Sequence, residues 1–176
     1  MARKTPSTEY RIEPIYPNHD RATFSCGIAE LDRYIRQQAG QDSKRNLAAV
    51  FILTADSKTV AGFYTLSAES VLAKDLPVEF GKKLPRFPLP VTLLGRMAVA
   101  QSLQGQGLGE FLLLDALDRA SSASRQVASW AVVVDTKAGA REFYLTHDFI
   151  PFETNTDRLF YPMKTVEKVL RGAIQH

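Results

Sequence analysis

The sequence predicts an α/β (α+β) fold, a mixed sheet with helices on both faces, on three observations. β-rich runs alternate along the chain with segments of helical period. A glycine loop, Gln104-Gly105-Gln106-Gly107-Leu108-Gly109, joins an apolar run, Leu93–Val99, to a leucine-rich one, Phe111–Leu117, which reads as strand, loop and helix. The 176 residues are 45% hydrophobic and 23% charged, ordinary globular usage with chain enough for a proper core, so residues 1–176 are expected to form one domain.

The elements follow in order. After a polar start, Ile28, Leu31 and Ile35 recur at helical spacing between about Gly27 and Gln41, with Arg33, Gln37 and Lys44 opposite, giving an amphipathic helix with a basic outer side. Leu47–Thr54 and Val60–Leu66 are β-rich and joined by Asp56-Ser57-Lys58, the composition and length of a hairpin turn, so they should pair antiparallel. Pro77, Pro85, Pro88 and Pro90, with Lys82, Lys83 and Arg86, make Leu76–Pro90 an irregular basic crossing, because proline has no N–H to give a ladder. The strand ending at Val99 comes next, then the glycine loop, a helix to about Ala120 and a strand over Ser129–Val134. A short helix through Tyr144 precedes strands at Phe149–Phe152 and Leu159–Met163 and a helical tail from Thr165. No internal repeat or low-complexity segment is visible.

A single cysteine, Cys26, excludes an internal disulfide, and the first residues are polar where a signal peptide needs an apolar core. No uncharged apolar run approaches the ~20 residues of a bilayer span. A cytoplasmic chain without a membrane segment is expected. The net charge of +3 is uneven: residues 1–100 carry 14 Lys and Arg against 10 Asp and Glu, and the remainder 8 against 9. Mild basicity alone argues little for nucleic acid, since a solvated lysine surface gives the same count.

The glycine loop carries the chemistry. A helix start presents unpaired N–H groups and the positive end of its dipole, and glycines let a bulky anion approach the backbone, so a phosphate or pyrophosphate is the expected guest. The dinucleotide pattern G-x-G-x-x-G needs a small residue where Glu110 stands, and a triphosphate loop needs Lys then Ser or Thr where Glu110 and Phe111 follow Gly109. A glycine-rich turn capping a core helix is the plain alternative. Gln104-x-x-Gly107-x-Gly109 resembles the Q/R-x-x-G-x-G/A pyrophosphate loop of the GNAT superfamily of N-acetyltransferases. Ala140-Arg141-Glu142-Phe143-Tyr144-Leu145-Thr146-His147-Asp148-Phe149 is similar to the A-x-x-F-Y-x-x-x-G-F segment of the same enzymes, with Asp148 where that family usually has glycine. The turn there must hold Asp in a left-handed conformation or change shape.

The resemblance implies the GNAT fold, with a mostly antiparallel mixed sheet, and acetyl-CoA as cosubstrate with no metal. It implies that Gln104, Gly105, Gln106, Gly107, Leu108 and Gly109 hold the pyrophosphate, that the backbone of Met97, Ala98 and Val99 holds the pantetheine and thioester, and that Tyr144 is the general acid that protonates the departing thiolate. A tyrosine packed beside Phe143 is the alternative for Tyr144. No carboxylate lies in Leu93–Val99, and Glu69 and Asp75 are the nearest acids before it. A lysine amine, pKa ~10.4, needs a base at neutral pH, whereas an α-amine near ~7.7–8.0 is already partly neutral, so the missing base leans towards an α-amine.

A wider likeness extends over nearly the whole chain. Phe24-x-Cys26-Gly27 with Leu31-Asp32, Gly62-Phe63-Tyr64-Thr65-Leu66-Ser67, Leu84-Pro85-Arg86-Phe87-Pro88 and Leu94-Gly95-Arg96-Met97-Ala98-Val99 resemble the GNAT toxins of bacterial type II toxin–antitoxin systems. That likeness implies acetylation of the α-amine of aminoacyl-tRNA and inhibition of translation, a ribbon-helix-helix antitoxin as partner, and a homodimer. It gives the basic first half a role in gripping the acceptor stem and CCA end through Arg86 and Arg96, inside the resembling segments, and Arg33, Arg36, Lys44 and Arg45. The plain reading of each of the latter four is an ordinary solvated charge, and it outweighs contact. The competing expectation is a small-molecule or protein N-acetyltransferase of the same fold, with a non-enzymatic acetyl-CoA sensor behind it.

Overall fold

In the computed structural model, which describes residues 9–136 and 140–174, the strands are β1 (Arg11–Pro14), β2 (Ala49–Thr54), β3 (Gly62–Val71), β4 (Leu89–Val99), β5 (Ala131–Asp135), β6 (Ile150–Pro151) and β7 (Arg158–Pro162). They form one mixed sheet in the order β1-β2-β3-β4-β5-β7-β6. β4 and β5 are parallel, while β1 with β2, β2 with β3, and β7 with both β5 and β6 are antiparallel. The helices are α1 (Ala29–Arg33), α2 (Ala39–Lys44), α3 (Val78–Gly81), α4 (Leu108–Ser124), α5 (Arg141–Thr146) and α6 (Met163–Ile174). By packing, the chain falls into two units, one holding Arg96–Ala116 with the chain up to Ser67, the other Ala68–Gly95 with the chain from Leu117 on.

The first unit is built around Phe24, Tyr34, Ile35, Val50, Ile52, Phe63 and Ala98. Its β2–β3 hairpin forms as expected, from Ala49 opposite Leu66 to Leu53 opposite Gly62. Asp56 fastens the turn: its carboxylate accepts the N–H groups of Lys58 at 2.9 Å and Thr59 at 2.7 Å and the Thr59 hydroxyl at 2.8 Å. Those donors hold its carboxyl well below the usual carboxylate range. The first helix differs from the even helix expected over Gly27–Gln41. Between α1 and α2 the chain makes a π-helical turn, Tyr34–Gln38, with the Ala39 N–H reaching back five residues to the Tyr34 carbonyl. The extra residue in that turn lets Tyr34 and Ile35, neighbours in sequence, both be buried. Ile28, expected on the apolar face, precedes α1 and is 52% exposed, because the helix entry is fixed by the Asp32 carboxylate accepting the Cys26 N–H at 2.8 Å.

The second unit packs Val71, Leu76, Leu89, Val91, Ala131, Val133, Phe152 and Phe160 together. The crossing expected at Leu76–Pro90 is irregular up to Pro88, with a 3₁₀ turn at Ala73–Asp75 before it and α3 within it. β4 then starts at Leu89, earlier than Leu93, and includes Pro90. On the β5 side the ladder begins only at Thr92, so that side asks no N–H of the proline, and its carbonyl accepts the Trp130 N–H at 2.8 Å. Boundaries move elsewhere: β3 runs on from Leu66 to Val71, α4 runs on to Ser124 over the buried Ala120 and Ser121, β6 shrinks to two residues between the buried Phe149 and Phe152, and α6 starts at Met163. β1 has no counterpart in the expected element order.

Candidate active site

The glycine loop leaves β4 through Ala100, whose N–H donates to the Ala61 carbonyl at 2.8 Å, and a 3₁₀ turn at Gln101–Leu103. Gly105 and Gly107 have φ of +83° and +81°, where a side chain is strained, yet a Cβ at either would meet no described residue within 4 Å beyond its chain neighbours. Conformation demands glycine there, and the space in front of both is open. α4 follows at once, with its first α-helical bond from the Phe111 N–H to the Gly107 carbonyl at 3.1 Å. The amides of Leu108 and Gly109 therefore have no carbonyl of their own helix to bond. Open space before two left-handed glycines at a helix start fits a pyrophosphate. Gln106 is exposed between the two glycines, and the Leu108 side chain is buried at 2% exposure, anchoring the loop.

The other predicted loop residue, Gln104, acts differently. Its Nε2 donates to the Cys26 carbonyl and to the Val99 carbonyl, both at 3.0 Å, so its amide group braces the loop against β4 and the segment before α1. Of the three residues expected to hold the thioester, Ala98 is buried and Met97 and Val99 are half-buried. The Val99 carbonyl is taken by Gln104. At Gly62 a Cβ would stand 2.8 Å from the Ala98 carbonyl oxygen and 3.2 Å from Leu112, so β3 approaches β4 there at a distance only glycine permits. The β4–β5 ladder covers Thr92–Leu94, and β4 continues to Val99 past its last pair.

Tyr144 lies in α5 at 7% exposure, edge-on to Phe143 and Phe149 with ring centroids 5.2 Å from each. Burial pushes its phenol far above the ordinary tyrosine range, so the hydroxyl keeps its proton at neutral pH. Asp148 adopts φ +68° and preserves the turn that glycine usually makes; the Phe149 N–H then donates to the Tyr144 carbonyl at 3.1 Å.

The two acids considered as bases are engaged elsewhere. Glu69 Oε1 pairs with Arg158 Nη2 at 2.5 Å, and Asp75 Oδ1 accepts the Thr154 hydroxyl at 3.2 Å. No group of three or more His, Cys, Asp or Glu among the described residues could hold a metal ion. Of the basic residues, Arg33, Lys44, Arg45 and Arg86 are exposed. Arg36 is exposed too, but its guanidinium donates to the Phe24 carbonyl. Arg96 is half-buried, with its guanidinium carbon 3.8 Å from the centre of the Tyr34 ring.

The acetyltransferase (GNAT) family model matches residues 12–149, a span that contains the hairpin, the glycine loop and α5. The chain belongs to the GNAT acetyltransferase family. Among relatives of this GNAT chain, a protein of Mycobacterium tuberculosis named tRNA-acetylating toxin is 34% identical over 152 residues, covering 86% of this chain and 90% of that one. The solved structure of AtaT complexed with acetyl-methionyl-tRNAfMet superposes with a TM-score of 0.86 at 29% identity, covering 92% of this chain and 99% of the other. A mutant AtaT toxin bound to the C-terminus of the antitoxin AtaR and acetyl-CoA gives 0.79 at 26% identity, covering 92% and 98%.

Two residues of this GNAT enzyme matter more than its sequence suggests. Tyr34 lies inside the segment expected to be helical without standing out there, and nothing local ties it to Arg96. Gly62 stands at the start of a β-rich run, where a glycine signals close backbone approach, and that signal was present but not specific.

Proposed function

We infer that this GNAT chain is a toxin enzyme that transfers acetyl from acetyl-CoA to the α-amine of aminoacyl-tRNA and so inhibits translation. The observation that carries this reading is the open main-chain cradle at Gly105 and Gly107, in a chain whose likeness to a tRNA-acetylating toxin spans most of both proteins. The loop amides and the first turn of α4 would hold the pyrophosphate, with Gln104 bracing the loop. The main chain of Met97, Ala98 and Val99 would hold the thioester arm.

The amine attacks the thioester carbonyl, the C–S bond breaks, the thiolate takes a proton from the Tyr144 phenol, and the proton shed by the attacking nitrogen returns through water to restore the phenol. With Glu69 and Asp75 both engaged, the amine must supply its own neutral fraction. An α-amine with pKa ~7.7–8.0 is partly neutral at physiological pH, whereas a lysine amine near ~10.4 is almost wholly protonated. Exposed Arg33, Lys44, Arg45 and Arg86, with Arg36 and Arg96, form the cationic surface for the acceptor's phosphates. A ribbon-helix-helix antitoxin, a homodimeric state and a cytoplasmic location complete the reading; no described helix is long and apolar enough to cross a membrane.

The decisive experiment supplies labelled acetyl-CoA to a charged bacterial tRNA pool, with uncharged tRNA and a lysine-rich peptide as controls. Label confined to charged tRNA is the expected result. Label on the peptide alone would leave an acetyltransferase and remove the toxin.

A further inference from the structure

The cationic residues of this chain are not equivalent. Arg33, Lys44, Arg45 and Arg86 are exposed, whereas Arg96 is half-buried on the last part of β4, three residues before Val99. Its position is fixed twice: its backbone N–H donates to the Thr65 hydroxyl at 3.1 Å, and its guanidinium lies over the Tyr34 ring at 3.8 Å. Tyr34 is itself held, 4% exposed, stacked against Phe63 at 6.2 Å and 23°, with its hydroxyl donating to Asp42 Oδ2 at 3.1 Å. Among the described residues no carboxylate pairs with Arg96. A partly desolvated guanidinium with an aromatic support and no anion of its own is a prepared receptor for one, since its planar fork suits a phosphate and an aromatic face holds it without neutralising it.

We propose that Arg96 binds a backbone phosphate near the 3′ end of the acceptor nucleic acid, and that Tyr34 is the positioning residue that holds its guanidinium in place. The inference rests on the reading of aminoacyl-tRNA as substrate and narrows it to one built anion site. Arg96 then contributes to the acceptor and not to acetyl-CoA, and the support is the aromatic ring, with the hydroxyl tie to Asp42 secondary.

The test measures KM for aminoacyl-tRNA, the slope of log binding constant against log salt, and the acetyl-CoA dissociation constant by calorimetry. Arg96→Gln should raise KM about tenfold or more and flatten the salt slope by about one phosphate, with acetyl-CoA affinity unchanged. Arg96→Lys should keep the slope and still lose several-fold in KM. Tyr34→Leu should raise KM about fivefold and Tyr34→Phe hardly at all, since the ring remains. Should Tyr34→Leu not fold, the Arg96 pair and Tyr34→Phe decide. A salt slope unmoved by Arg96→Gln, or an acetyl-CoA affinity that falls in step with KM, overturns the proposal. Wild-type protein that labels no tRNA removes the substrate reading itself, a failure visible before any variant is made.

Discussion

At Gly105 and Gly107 no described residue beyond the chain neighbours stands within 4 Å of where a side chain would begin, whereas the Tyr144 ring is packed edge-on against Phe143 and Phe149 and nearly sealed from water. The loop offers main-chain groups and leaves room for a ligand; the helix offers one hydroxyl in a closed apolar setting. Binding that uses the backbone is indifferent to most side chains and sensitive to conformation. Chemistry that uses one hydroxyl is sensitive to the loss of a single atom. Substitutions in the two regions should therefore separate affinity from turnover.

The largest effect is expected at the phenol. Tyr144→Phe removes the proton donor and little volume, so kcat for acetyl transfer should fall by about 10²–10⁴ while the acetyl-CoA dissociation constant, read by calorimetry, holds. Equal losses in both would erase the contrast between the regions. Gly107→Ala should do the reverse: a left-handed φ costs a side chain about 1–2 kcal/mol, and the new Cβ enters the open cradle. Acetyl-CoA affinity should drop about tenfold with kcat at saturation kept, each 1.4 kcal/mol being a factor of ten.

Gly62 sharpens the contrast, because there the protein itself fills the space. Gly62→Ala drives a Cβ against the Ala98 carbonyl at 2.8 Å, so urea denaturation should show a loss of about 1–3 kcal/mol from overpacking, where Gly107→Ala loses stability only through backbone strain. The smallest effect at neutral pH concerns Cys26. Burial, aided by Asp32, pushes its thiol up to about 11, and burial with Asp42 pushes Tyr34 up to about 12. Both shifts favour the protonated form in the fold. Their stabilisation is complete below the ordinary values of 9.0 and 10.0 and is lost as pH climbs through about 11 and 12. Native protein should resist iodoacetamide at pH 8, and alkaline unfolding should set in only above pH 9; rapid alkylation at pH 8 would show that the segment around Cys26 opens.

What could be read from the sequence was local. The glycine loop and the Asp56 turn each declare themselves within six residues, because left-handed glycines and a carboxylate capping its own turn need no distant partner. Asp148 was legible as a question, and the answer, φ +68°, needed the structure. The π turn was not legible, since a helical period says which residues share a face but not where one extra residue is taken up. Pro90 misled because proline was judged by type, whereas its tolerance depends on where the ladder begins. The contact of Arg96 with Tyr34 joins residues far apart in the chain, and no local pattern encodes it.

The arrangement of the units along the chain bears on when during its synthesis this enzyme becomes complete. Synthesis proceeds from the N-terminus at about 5–20 residues per second, and each unit draws on a stretch that emerges late, Arg96–Ala116 for one and everything from Leu117 for the other. The ribosome completes the loop at 104–109 well before it reaches Tyr144. On the proposed reading, a chain that has not yet reached α5 carries the loop sequence without the phenol, so acetyl transfer waits until that helix has been made.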